Sequence, residues 1–230
     1  MTAASVHVGI LLFEGVTQLD LTGPYEVLAR MPDARVSLVA PRPDPVRTEW
    51  GMRIVPDISF ATSPAFDVLV VPGGWGVDAQ LENAEVLAFL RAQEKTARYI
   101  TSVCSGALLL GAAGLLRGYR ATTHWLSLDL LRHFGAEPVR ARVVRDRNRI
   151  TGAGVTAGID FALTMAAELY GDAVAQRIQL AIEYRPDPPF KSGSPDSAPT
   201  AVRTAVSDAS AASIARRTAI IERITAAPQG

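Results

Sequence analysis

The chain of 230 residues is 48% hydrophobic and 20% charged, enough apolar material for the core of one α/β domain and too little length for two independent ones. Lys plus Arg equals Asp plus Glu at 23 each, so no global field draws in nucleic acid, an acidic substrate or an anionic membrane. The single cysteine excludes an intrachain disulfide, and three scattered histidines leave no familiar zinc spacing, so a metal site is not expected. The N-terminus carries no basic leader pattern and no apolar run approaches the ~20 residues of a membrane span, which makes the cytoplasm the expected location.

Residues 6–13 form a compact β-rich run, and residues 21–30 follow with Leu21, Tyr25 and Leu28 at helical spacing, a first βα unit. A strand over 35–40 stops at Pro41, residues 42–46 read as a proline-rich surface connection, and 53–60 as a short hairpin or edge element. Residues 66–71 are almost continuously apolar and run into Pro72-Gly73-Gly74, the pattern of a central parallel strand entering a glycine turn. A helix over 83–97 leads to a strand ending at Val103, and a helix from Ser105 to Leu116 stops at Arg117-Gly118. Residues 121–124 read as extended and 125–134 as helical. Residues 138–144 and 149–151 read as a hairpin around Arg145-Asp146-Arg147-Asn148. Gly152-Ala153-Gly154 is a further glycine turn before helices over 156–170 and 172–184. This alternation predicts a single-domain α/β fold over residues 1–184, a flavodoxin-like, mostly parallel central sheet with helices on both faces. Residues 185–200, with five prolines among Ser, Gly and Asp, read as a linker. Residues 201–227 regain helical character, with Val202, Val206, Ile214, Ile220, Ile221 and Ile224 apolar, so the C-terminal segment 201–230 docks on its own domain or on a second subunit.

Cys104 lies where a strand meets a helix, in Thr101-Ser102-Val103-Cys104-Ser105-Gly106. A tight turn there exposes the thiol and aims unpaired NH groups of the helix start at it, an arrangement that lowers a cysteine pKa and favours the nucleophilic thiolate. The alternative is a small buried hydrophobe. Glycine turns at three strand ends, Gly73-Gly74-Trp75-Gly76, Ser105-Gly106 and Gly152-Ala153-Gly154, let backbone approach a ligand, so Gly74 or Trp75 together with Ser105 are candidate oxyanion donors. Asp20, between two leucines, is either a desolvated acid–base partner for the thiol or the N-cap of the helix beginning near Leu21. His124 either completes a Cys/His pair or bonds to backbone at a helix start.

The blocks Gln18-Leu19-Asp20-Leu21-Thr22-Gly23-Pro24, Val71-Pro72-Gly73-Gly74, Thr101 to Gly106, Ala121-Thr122-Thr123-His124-Trp125 and Gly154-Val155-Thr156-Ala157-Gly158-Ile159-Asp160 resemble those of the ThiJ/PfpI group in the class I glutamine amidotransferase-like superfamily. Within that group the chain is similar to the isocyanide-hydrating branch, a likeness that includes Pro188-Pro189-Phe190 and Gly193-Ser194-Pro195-Asp196. The resemblance implies that Cys104 is the nucleophile and Asp20 its carboxylate partner, adding water to a small-molecule isocyanide through a thioimidate to give an N-substituted formamide. It further implies Gly74, Trp75, Ser105 and Thr156 on the substrate or oxyanion side, with Val155 and His124 nearby, no cofactor and a homodimer. Ser105 keeps a hydroxyl where the group usually has Thr, whereas Trp75 stands where a small polar residue is usual and bears on the pocket mouth. Two other readings use the same residues: another cysteine-dependent hydrolase or glyoxalase-like enzyme, and a non-enzymatic or redox sensor. A DNA-binding sensor is disfavoured because only about 30 residues follow the linker, too few for two helix-turn-helix units.

Overall fold

A computed structural model describes residues 5–226, and in it the apolar runs become the interior of a seven-stranded sheet. In chain order the elements begin β1 (His7–Leu11), α1 (Gln18–Leu28), β2 (Arg35–Ala40), β3 (Val46–Arg47), β4 (Arg53–Ile54), β5 (Ile58–Ser59), β6 (Val68–Val71), α2 (Val77–Gln80) and α3 (Ala84–Glu94). They continue with β7 (Tyr99–Val103), α4 (Gly106–Ala112), β8 (Arg120–Ala121), a 3₁₀ segment (Trp125–Phe134) and β9 (Glu137–Pro138). The remainder is β10 (Val143–Asp146), β11 (Arg149–Gly152), α5 (Ala157–Tyr170), α6 (Asp172–Ala181) and α7 (Thr200–Ala226).

The main sheet has the order β10-β11-β7-β6-β1-β2-β5, parallel throughout except for the antiparallel β10–β11 pair. All four residues of β6 are fully buried, as its unbroken Val-Leu-Val-Val sequence requires of a central strand covered on both faces. Each such side chain contributes about 1.5–3 kcal/mol by leaving water. From β1 the chain first adds β2 on one side and later returns to add β6 on the other, so the strand order reverses between β1 and β6. Ligand crevices in open α/β sheets form at the carboxyl ends of strands at such a reversal.

Several expected boundaries move. α1 starts three residues early, at Gln18, so Asp20 is inside the first turn and Thr17 occupies the N-cap position that Asp20 was one candidate to fill. α4 ends at Ala112 rather than Leu116 because Gly114 takes a left-handed φ of +81°. Trp125–Phe134 winds as 3₁₀, with bonds such as Ser127 NH to the His124 carbonyl at 2.8 Å, yet it still buries Leu130, Leu131 and Phe134. The strand expected over 138–144 is split between β9 and β10, and the four-residue turn contracts to Arg147-Asn148, with Arg147 at φ +53°. α6 closes at Ala181, and Glu183 at φ +51° turns the chain away.

Residues 185–199 contain no helix or strand. α7 packs on its own chain, with Arg217 and Ile221 buried and Ile220 and Ile224 packed against the core. Residue 227, the last of the expected C-terminal helix, lies outside the described residues.

Candidate active site

The segments after β1, β6 and β7 converge because those three strands are neighbours. The first two are tied together: Val16 bridges Gly74, and Thr17 NH donates to the Gly73 carbonyl at 2.9 Å. Into this junction the end of β7 delivers Cys104 at φ +54°, a left-handed conformation that costs a non-glycine residue roughly 1–3 kcal/mol. The surrounding bonds hold it there. Cys104 NH donates to the Gly152 and Ala153 carbonyls at 3.1 and 2.7 Å, and its carbonyl accepts from Thr123 Oγ1 at 2.6 Å. The elbow places a thiol that is only 6% exposed on the floor of a cavity.

Asp20 comes in beside the thiol from the first turn of α1 and is fully buried, behind the cavity lining rather than in it. Its Oδ2 accepts from Gly73 NH at 2.9 Å, while Oδ1 has no nitrogen or oxygen partner among the described residues. Burial pushes this carboxyl up to about 7; the Gly73 amide and the Cys104 thiol oppose the shift, and Glu49 adds to it. Burial, followed by the charge of Asp20, raises the Cys104 thiol well above its ordinary value, although Ser105 hydrogen bonds to the sulfur pull the other way. The expectation of a thiolate favoured by the helix start is therefore corrected: in the resting pocket desolvation and the neighbouring carboxylate outweigh the NH groups. Two anions cannot share this dry floor, so Asp20 and Cys104 hold at least one proton between them at neutral pH.

Gly73 must lack a side chain, since a Cβ there would lie 2.6 Å from both Ser105 N and Ser105 Oγ and 2.9 Å from Asp20 Oδ2. Gly74, at φ +134°, donates its NH to Ser105 Oγ at 3.1 Å. The Trp75 NH reaches Glu49 Oε2 at 3.4 Å, while its ring is 56% exposed and meets Trp50 edge-on at a centroid distance of 4.8 Å. Both amides expected as oxyanion donors thus rest on Ser105 and Glu49, and a substrate group must displace those acceptors to use them.

His124 shares the cavity with Cys104, but no hydrogen bond joins them among the described residues; its Nδ1 accepts from Leu126 NH at 3.4 Å, as expected of a helix-start histidine. Burial, then the charge of Arg217, lowers its pKa and keeps the ring neutral. Val155 lines the cavity as well. Thr156 does not. It lines a neighbouring cavity of about 440 Å³, where it stands at the N-cap of α5 and its Oγ1 accepts from Arg142 at 3.3 Å.

The Cys104 cavity encloses about 590 Å³. Thr17, Glu49 and Trp75 contribute to its lining, as does a stretch of α7 from Val206 to Arg217. Glu49 was not singled out from the sequence, and Val206 and Ile214 were read only as apolar docking positions of the C-terminal helix. The one local signal was the Arg216-Arg217 doublet, the only adjacent pair of basic residues in the helix. Among the described residues no three His, Cys, Asp or Glu side chains are grouped so as to hold a metal ion.

A strand-elbow cysteine paired with a buried carboxyl at the reversal point of a parallel sheet defines a cysteine-nucleophile α/β protein, and residues 6–168 match the DJ-1/PfpI family model: the chain belongs to the DJ-1/PfpI family. The "Isonitrile hydratase" of Pseudomonas putida is 54% identical over 222 residues, covering 96% of this chain and 97% of that protein. A crystal structure of a ThiJ/PfpI family protein from Pseudomonas syringae is 48% identical and superposes with a TM-score of 0.93, covering 95% of this chain and 91% of the other. Drosophila melanogaster DJ-1beta is 27% identical with a TM-score of 0.73; the match takes in all of that chain but 79% of this one.

Proposed function

We propose that this protein is an isocyanide hydratase, converting an organic isocyanide and water into an N-substituted formamide. The observation that carries the reading is the placement of the buried Asp20 carboxyl beside the Cys104 thiol at the base of the cavity. An isocyanide carbon bears a lone pair and must gain both a nucleophile and a proton, and this pair supplies one of each. The near-complete likeness to the Pseudomonas putida isonitrile hydratase, isonitrile being another word for isocyanide, supports the same assignment.

In the first step the Cys104 sulfur bonds to the terminal carbon while Asp20 passes a proton to that carbon, giving a thioimidate, Cys–S–CH=N–R. Asp20, now a carboxylate, accepts a proton from water as the water oxygen adds to the same carbon, and passes that proton on to the nitrogen. Collapse of the adduct breaks the C–S bond, releases R–NH–CHO and returns the hydroxyl proton to the Cys104–Asp20 pair, which again holds the proton it began with. Ser105, bonded to both the Gly74 amide and the thiol, holds the elbow in register through these steps.

The reading extends to a homodimer in the cytoplasm. Supporting this are the exposed apolar side chains Trp50, Met52, Val55 and Trp75, a lone free cysteine suited to a reducing compartment, and the finding that no helix among the described residues is long and apolar enough to cross a membrane. The test of the activity is formamide production from benzyl isocyanide by the wild type and by Cys104→Ala. The wild type should turn over and the variant should lose on the order of 10⁴-fold or more. Wild-type protein that makes no formamide, or a variant that makes as much, rejects the assignment.

A further inference from the structure

The DJ-1/PfpI match ends at residue 168, and DJ-1beta leaves a fifth of this chain without a counterpart, yet α7, at 200–226, forms one wall of the nucleophile's cavity. The helix divides along its length. Its C-terminal half is seated on the body by Ile221, which is fully buried, and by Ile220 and Ile224. Its middle turns are clamped. Arg217, 6% exposed, donates from Nε to Asp78 Oδ1 at 2.6 Å and from a terminal nitrogen to Ser127 Oγ at 3.2 Å, and Arg216 reaches Asp78 Oδ2 at 3.0 Å. Asp78, 7% exposed, belongs to α2, the short helix that directly follows the Gly74–Trp75 turn. The clamp therefore fixes α7 to the element that also sets the cavity floor. Above it, Val206, Ser210, Ser213 and Ile214 recur at three- and four-residue spacing and line the cavity. They offer apolar atoms and small side chains, with no charge of their own.

We infer that α7 is the specificity wall of this enzyme: Val206, Ser210, Ser213 and Ile214 receive the organic substituent of the substrate, a neutral apolar group as large as an aryl or cycloalkyl ring. Asp78, Arg217 and Ser127 act as positioning residues that hold this wall at the thiol. This rests on the isocyanide reading for the identity of the substrate, but its geometry is independent of it. Asp78, taking one bond from the buried Arg217 on Oδ1 and two from Arg216 on Oδ2, fixes both distance and orientation, which a hydrophobic seat alone does not. The two serines leave the volume that a ring needs, and a larger residue at either one removes it.

The test compares a large and a small member of two reagent classes on wild type, Ser210→Phe and Ile214→Ala. With benzyl and methyl isocyanide, Ser210→Phe should lower the benzyl-to-methyl ratio of kcat/KM by about 10- to 100-fold, the discrimination a filled apolar pocket provides. Ile214→Ala, which enlarges the pocket, should shift the ratio in favour of substituents larger than benzyl. Alkylation of Cys104 by N-benzyl iodoacetamide and by iodoacetamide, followed by mass spectrometry, makes the same comparison without any hydration chemistry. If the alkylation ratio shifts while no isocyanide is turned over, the wall stands and the hydratase reading falls. If both ratios stay at the wild-type value in the folded variants, the wall is wrong. For the clamp, Arg217→Met should raise KM for benzyl isocyanide more than it lowers kcat, and Arg217→Lys, which keeps the charge on Asp78, should recover part of the loss. Equal effects on kcat and KM for both substrates would reduce Arg217 to a purely structural role.

Discussion

Cys104 and its partners are held by the sheet, whereas the wall facing them is held by ion pairs. The nucleophile hangs from the end of a strand buried between two others, its NH and carbonyl are fixed by Gly152, Ala153 and Thr123, and Asp20 is locked on the Gly73 amide. None of those contacts reaches beyond the first 153 residues. α7 is joined to the body by Arg216 and Arg217 on Asp78 and by Arg223 on Glu82, contacts that span more than a hundred residues of chain. The difference separates the two tasks of the site. The reacting groups are held by the backbone of the core, while the wall is attached from outside and its facing residues vary without touching the elbow.

The sharpest way to break this division is Asp20→Asn. The amide still accepts from Gly73 NH but cannot cycle a proton, so turnover should fall by about 10²- to 10⁴-fold with the fold retained. In the wild type kcat/KM should decline as pH rises past about 7, where Asp20 loses its proton, and that limb should vanish from the residual activity of the variant. Unfolding of Asp20→Asn, seen by circular dichroism, would mean that the carboxyl is structural after all.

Next in size is Asp78→Asn, which leaves Arg217 buried without its counter-charge. Breaking a buried pair of this kind costs about 3–5 kcal/mol, measurable by urea unfolding. If α7 is an attached wall, the loss should appear first as protease cleavage within residues 200–226 while the remaining domain stays folded.

A smaller effect tests the floor itself. The Asp20 carboxyl titrates near 7 when folded and near 3.8 when unfolded, so the folded state binds the extra proton between those values. The associated stability is complete below about pH 4 and is lost as pH rises through 7. Between pH 5 and pH 8 the wild type should lose about 3 kcal/mol relative to Asp20→Asn in parallel urea titrations. A pH-independent gap would show that the carboxyl is ionised throughout. The smallest effect belongs to Arg223→Ala, whose pair with Glu82 is exposed on both sides: melting temperature and turnover should both match the wild type. A clear drop in either would extend the clamp along the whole helix.

The floor was legible in the sequence because its signals are local. A cysteine between an apolar strand and a small-residue helix start, and a Pro-Gly-Gly turn after a Val-Leu-Val-Val strand, each report their own geometry within a few residues. Asp20 was legible as a partner, but its place inside α1 was not, since no residue before Gln18 marks the helix start with a side-chain cap. The raised thiol pKa was hidden for a different reason: the helix-start NH groups are a local feature, while the desolvation and the carboxylate that overcome them come from the packed whole. Thr156, which the resemblance placed on the substrate side, lines the neighbouring cavity instead, at the N-cap of α5 and one residue past Val155, which lines both. The wall was least legible, because Asp78 and Arg217 meet across 139 residues and nothing in either neighbourhood names the other.

Cys104 is the only cysteine in the chain, and this makes the protein its own meter. Any thiol reagent that adds one mass increment has silenced one site, so the fraction of modified chains in an intact-mass spectrum equals the fraction of dead enzyme. Alkylation and a trapped thioimidate can then be counted on a single scale, with no second sulfhydryl to subtract.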